Sequence, residues 1–153
     1  SHYHDLRMLN IKINEQILEH HGKTYSISTA INGIGVIEGS YCTPIGKFKI
    51  SEKIGAQLES GSIFIGRKST GNIYNSDLGS QYPDKDWILS RILWLDGVEE
   101  HNKNTKERYI YIHGSPEEVR MGIPGSKGCI RMHNSDVIEL FDKIYMCEEV
   151  NIF

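Results

Sequence analysis

Two short segments of this chain carry side chains that together can do acyl-transfer chemistry. Tyr109-Ile-Tyr-Ile-His113-Gly-Ser supplies an imidazole, and Ser126-Lys-Gly-Cys129-Ile-Arg131-Met presents a thiol behind a glycine. A cysteine of ordinary pKa, about 8.5, is only a few per cent thiolate at neutral pH and gains from an adjacent base. His113 closes an alternating aromatic and β-branched run, so it is expected to project from the rim of a sheet. There it would either take the thiol proton or form an imidazolium–thiolate pair. The glycine before Cys129 allows a turn that aims the N–H groups of Gly128 and Cys129 at a reacting carbonyl, as in an oxyanion hole.

In order, His113-Gly-Ser, the twelve residues Gly114 to Gly125, and Ser-Lys-Gly-Cys-Ile-Arg resemble the signature of the L,D-transpeptidase catalytic domain (YkuD family). Tyr41-Cys-Thr-Pro44-Ile-Gly46-Lys-Phe48-Lys-Ile, Arg91-Ile-Leu-Trp-Leu-Asp-Gly97 and Asn134-Ser-Asp136-Val-Ile-Glu-Leu-Phe-Asp also read as members of that family do. The resemblance therefore runs roughly from Arg7 to Phe153. One departure is plain: Lys127 stands where the family most often has histidine.

The resemblance implies a mainly β, mixed α+β fold, a curled sandwich or barrel-like sheet with one packed C-terminal helix. It implies that Cys129 attacks the bond between an L-centre and terminal D-alanine in a peptidoglycan stem tetrapeptide, with His113 as proton donor to the departing D-alanine. An amine of a neighbouring stem peptide, or of an envelope lipoprotein, would then accept the acyl group; water in its place would make an L,D-carboxypeptidase. The resemblance further implies no metal or nucleotide cofactor, acylation by carbapenems, and an extracytoplasmic place of work, in the periplasm or cell wall, with any signal or anchor outside this sequence. A silent wall-binding domain is the competing reading, which Lys127 keeps open.

The neighbours of the two reactive groups carry expectations of their own. Lys127 is a cation beside the thiol, which favours the thiolate, but lysine is no neutral base at pH 7 unless strongly desolvated. Arg131 would either grip a substrate carboxylate as a bidentate fork or pair with an internal acid that braces the loop. Ser126 is expected to hydrogen-bond within its turn, Ser115 to support His113, and Gly114, Gly125 and Gly128 to supply backbone freedom or close approach. No acid lies at a spacing that suggests a third catalytic member; in the family a backbone carbonyl near the His-Gly turn often orients the imidazole. Thr43-Pro44 and Gly46 either wall the site or make an ordinary turn. Cys129 with His133, His20-His21 and His101 complete no metal spacing, and Thr43-Pro-Ile-Gly-Lys lacks the glycine spacing of a phosphate loop. Trp87, Trp94 and the tyrosines are expected in the core, with Tyr74 or Tyr82 available to line a groove.

These residues need a scaffold, and 153 residues suffice for one domain, expected over 7–153 behind a tail of residues 1–6 that looks like a trimmed start. A net charge of -3 gives no basic field for nucleic acid or anionic lipid, and no apolar run approaches a membrane span. Three cysteines leave an odd number: Cys42 and Cys147 either bridge, sparing Cys129, or are buried free thiols. Alternation predicts strands over Met8–Ile13, a hairpin through His21-Gly22-Lys23, and strands at Lys47–Ser51, Ile63–Ile65, Ile88–Leu95, Arg108–Ile112 and Glu149–Phe153. Residues Arg67 to Asp86 read as a long loop or cap, Val98 to Glu107 as a polar loop, and Val36-Ile37 as a short strand or part of a loop. Val137, Leu140, Phe141 and Ile144 predict a helix capped by Asn134, Ser135 or Asp136, and Pro116 to Met121 allow a shorter one.

Overall fold

The structure is a computed structural model that describes residues 8–153; the expected tail, 1–6, lies outside them. Ten strands form one sheet: β1 (Leu9–Lys12), β2 (Ile17–His20), β3 (Lys23–Ser28), β4 (Gly46–Ile54), β5 (Ser62–Ile65), β6 (Lys68–Ile73), β7 (Ile88–Gly97), β8 (Tyr111–Ser115), β9 (Ile130–His133) and β10 (Glu149–Ile152). Eight of them run β4-β10-β1-β2-β3-β9-β8-β7, and β7 pairs back onto β4, which closes the sheet into a barrel. Closure removes the free edges that an open sheet must otherwise protect. Only β1–β10 and β8–β9 are parallel among the ring's pairings. The β5–β6 hairpin attaches outside the ring, to the first residues of β7.

Alternation along the strands sorts the side chains. Leu9, Ile11, Leu18, Ile27, Phe48, Ile50, Leu93, Leu95, Ile112, Ile130, Met132 and Ile152 fill the barrel and are almost wholly buried. Helix α2 (Asn134–Lys143) adds Val137, Leu140, Phe141 and the flanking Ile144 to the same core, each burial contributing about 1.5–3 kcal/mol. Because successive strand residues face opposite ways, the inward set Ile112, Ile130 and Met132 forces Tyr111, His113, Cys129 and Arg131 onto the outer face. That outer face is where the chemistry collects.

Several expectations change. The hairpin, the main helix and the predicted strands are present, except that the strand expected over Arg108–Ile112 starts only at Tyr111 and runs on to Ser115, with Arg108 and Tyr109 in a turn; Val36-Ile37 is loop. Within the expected 67–86 loop lie β6 and a short helix α1 (Ser76–Gln81), capped by Asn75. Every residue of β6 is exposed, so this edge strand has no apolar alternation for a sequence pattern to reveal. The Val98–Glu107 segment holds a 3₁₀ turn (Glu100–Asn102) whose Asn102 is fully buried, its amide donating to Ile45 O and Lys47 O. Helix α2 starts one residue early: His133 is its N-cap and makes no side-chain cap bond. Pro116 to Met121 forms only a turn, closed by Val119 N–H to Pro116 O. Cys42 and Cys147 are free thiols but neither is buried, Cys42 being half-buried and Cys147 exposed. Trp87 is buried as expected, whereas Trp94 is only half-buried, against Tyr109 and Tyr111 on the outside of the ring.

Candidate active site

His113 stands in the middle of β8 and is fully buried, not at the rim where its sequence position suggested. It is held from behind by its own neighbourhood. His113 Nδ1 lies 2.6 Å from Gly114 O, which fixes the ring and leaves Nε2 buried with no hydrogen-bond partner. Gly114 must be glycine: a Cβ there would meet Asn134 Oδ1 at 2.5 Å and Leu89 O at 2.6 Å. Asn134 Oδ1 in turn accepts from Ser90 Oγ at 2.6 Å, where β7 bulges by two residues opposite the His113–Gly114 step and Ser90 takes φ +72°.

Cys129 sits at the entry to β9, half-buried, on the outer face of β9 beside Tyr111 and two residues in register from His113. Its Sγ accepts the Tyr111 N–H at 3.3 Å and donates to Tyr109 O at 3.4 Å. The loop before it is bonded at every turn. Ser126 Oγ donates to Cys129 O at 2.6 Å and accepts the Gly128 N–H at 3.2 Å, as its sequence position predicted. Thr43 Oγ1 donates to Gly128 O at 2.9 Å and accepts the Ala30 N–H at 3.0 Å, so the Thr43-Pro44 turn does wall the site. Gly128 needs its freedom, with φ +127° and a virtual Cβ only 3.2 Å from Cys42 O.

The electrostatics favour neutral groups. Burial pushes the Cys129 thiol up to about 12, outweighing the Tyr111 N–H and the Arg108 and Arg131 charges that pull the other way. Burial likewise holds the His113 imidazole below its ordinary value, with Asp86 the largest opposing influence and Arg131 adding to the depression. Asp86 is the site residue that sequence reasoning missed. It precedes β7, remote from both motifs, and only the fold brings it within 3.6 Å of Arg131 Nη1. Of the two roles expected for Arg131, the structure displays the internal pair: Asp86 on one side and Ser28 Oγ, at 2.9 Å, on the other.

Other expected residues fall as follows. Lys127 is exposed and lines a small cleft of about 190 Å³ with Glu38, Tyr41, Glu107, Arg108 and Tyr109. Ser115 Oγ is buried without a partner and makes no bond to His113. Tyr74 lines a second cleft of about 430 Å³ with Trp87, Lys85 and Glu118, while Tyr82 stacks edge-on to Trp87. A third cleft, about 470 Å³, is lined by Lys12, Glu19, Lys47 and Glu99, none of which belongs to this site. Among the described residues one group has metal-ligand spacing, His20, His21 and Glu148, brought together by Glu148 from far along the chain; His20 Nε2 there lies 2.7 Å from Glu148 Oε2.

A sequence profile of the YkuD family, L,D-transpeptidase catalytic domain, matches residues 7–152. The chain belongs to the YkuD family. Solved structures similar to this YkuD domain include an L,D-transpeptidase from Mycobacterium smegmatis, 13% identical with a TM-score of 0.58 over 95% of this chain and 58% of that one. L,D-transpeptidase 3 from Mycobacterium tuberculosis, solved with a faropenem-derived adduct, is 15% identical at TM-score 0.57, with 95% and 59% covered. An Enterococcus faecium L,D-transpeptidase is 18% identical at TM-score 0.56, with 95% and 49% covered. The chain thus spans about half to three-fifths of the length of these structures, and at such identities the likeness establishes the shared fold. No curated protein sequence is significantly similar to it. The mainly β barrel with one packed helix is the architecture that the family resemblance implied. No helix of the described residues is long and apolar enough to cross a membrane.

Proposed function

We propose that this YkuD domain is a peptidoglycan L,D-transpeptidase with Cys129 as nucleophile and His113 as its base. The observation that carries the reading is an orphaned, buried imidazole nitrogen on the same outer face as a thiol two residues away in the register of parallel strands. With both groups neutral at rest, the thiol turns from Tyr109 O toward His113 Nε2 as a donor peptide enters. Nε2 takes the proton as Sγ bonds to the carbonyl carbon of the L-centre. The oxyanion forms against the Cys129 N–H, since the Gly128 N–H is already bonded to Ser126 Oγ; a donor of this kind is worth about 3 kcal/mol in other acyl-transfer sites. His113 then returns the proton to the departing D-alanine nitrogen, leaving a thioester. An amine of a second stem peptide, or of an envelope lipoprotein, attacks the thioester, gives its proton to His113 and releases the thiol.

Activity on stem peptides places the protein's work outside the cytoplasmic membrane, in the periplasm or cell wall, and makes carbapenems acylating agents. Residues 7–153 act as one catalytic domain. Arg131, Ser126 and Gly114 support the site rather than react, whereas Ser115 and Lys127 make no side-chain bond within it. Intact-mass measurement after exposure to a carbapenem or a tetrapeptide donor tests this: an adduct should form and be absent from Cys129→Ala. A folded protein with no adduct would make the domain a silent wall-binding module. Muropeptide products with and without an amine acceptor then separate cross-linking from release of free tripeptide by an L,D-carboxypeptidase.

A further inference from the structure

Resting on the transferase reading, we propose that Arg67 is a specificity residue that binds the free C-terminal carboxylate of the acyl donor. A donor cleaved one residue from its end presents that carboxylate a short reach beyond the scissile carbonyl, so a fixed cation near the sulfur would select it. Three cations closer to Cys129 in the fold or along the chain are unsuited. Arg131 is paired with Asp86 and Ser28. Arg108 donates to the carbonyls of Gly35 and Cys42, bracing the loop. Lys127 is exposed and has no bond that would fix its long side chain.

Arg67 is both held and uncommitted. Its guanidinium lies 4.6 Å from the Trp94 ring centroid and 5.0 Å from that of Tyr109, and Nη1 donates to Tyr111 Oη at 3.1 Å. Glu52 acts on it electrostatically but forms no ion pair with it. Stacking on ring faces leaves the edge of the guanidinium open, and only one of its five donors is bonded, so the fork geometry for a carboxylate remains. Tyr111 ties this cation to the nucleophile: its N–H donates to Cys129 Sγ, and its ring packs in the cluster that includes Cys129 and Phe64. One tyrosine side chain therefore separates the guanidinium from the sulfur.

The turn that carries Arg67 points the same way. Ile65 pairs with Lys68, so Gly66 and Arg67 form a two-residue hairpin loop with φ of +57° and +66°. Such turns need positive φ at both central positions and favour glycine or asparagine there. An arginine at the second position contradicts local preference, as residues selected for a ligand commonly do.

The test compares a tetrapeptide donor with the same peptide amidated at its C-terminus, in the wild type and in Arg67→Gln, which removes the charge but keeps a donor toward Tyr111. The readout is kcat/KM for release of D-alanine or D-alaninamide. The wild type should prefer the free acid by about tenfold to a hundredfold, the range of a charge-assisted hydrogen bond. In Arg67→Gln that preference should collapse to near unity, chiefly through KM, and Arg67→Lys should restore part of it. An unchanged preference in Arg67→Gln, even with both rates lowered, overturns the proposal, as does its loss in Lys127→Ala instead. If the wild type releases nothing from either donor, the transferase reading falls and takes this one with it.

Discussion

The resting state of Cys129 is open to direct measurement through its alkylation by iodoacetamide as a function of pH. Two observations describe a protonated thiol: burial pushes Cys129 up to about 12, and the sulfur donates to Tyr109 O rather than to His113. At pH 7.5 the thiolate fraction is then about 10⁻⁴·⁵, against roughly a tenth for an ordinary thiol of pKa about 8.5. The more basic thiolate is intrinsically more nucleophilic, with a Brønsted slope of about 0.4–0.5, which returns nearly half of the deficit in the logarithm. The net expectation is alkylation about a hundredfold slower than that of a small-molecule thiol of ordinary pKa. Peptide mapping after timed quenching resolves Cys42, Cys129 and Cys147 in one sample. Access affects the absolute rate but not its pH slope, so the slope decides: the Cys129 rate should still climb tenfold per unit past pH 10, where that of a small-molecule thiol of ordinary pKa has levelled off. A plateau for Cys129 below pH 9 would establish a preformed thiolate and refute a base that acts only when substrate is present.

Two further outcomes follow from the same geometry. Gly128→Ala forces a side chain into a φ +127° position with Cys42 O at 3.2 Å, so the loop must shift; denaturant unfolding should show a loss of about 1–3 kcal/mol, and acylation should fall with it, whereas acylation at the wild-type rate would mean that the turn does not set the sulfur's position. Asp86→Asn removes the carboxylate that opposes the depression of His113. The imidazole should then lose its proton at still lower pH, moving the acid limb of kcat/KM downward and lowering the plateau several-fold because the base is weaker; an acid limb left in place would separate Asp86 from the chemistry.

The barrel's strands were legible from their apolar residues, by alternation at Leu9, Ile11 and Ile13 and, from Ile88 to Leu95, by a run apolar on both faces save Ser90 and Arg91, as suits a strand buried almost throughout. Helix α2 was legible for the same reason at period 3.6. What escaped has no such signature. The edge strand β6 buries nothing, and Asn102 is buried through hydrogen bonds, not hydrophobicity. The position of His113 escaped because the β7 bulge at Ser90 extends pairing past the point where the aromatic alternation stops. Asp86 and Arg67 reach the site through tertiary pairings between β7, β8 and the annexed hairpin, and an isolated Asp or Arg announces none of these.

The lysine at position 127 shows why the motif's chemistry and its side chains need not vary together. The bonds that hold the nucleophile loop come from Ser126 Oγ, Thr43 Oγ1, main-chain groups of residues 126 to 129 and the Cys129 sulfur. Lys127 is exposed, lines a cleft with Glu38, Glu107 and Arg108, and contributes none of these side-chain bonds. A histidine-to-lysine change there leaves the turn, the Cys129 N–H and the pinning of Gly128 O as they are. It alters the charge of one cleft wall instead, beside Arg108. The departure from the family pattern therefore leaves the bonds that position the Cys129 backbone intact.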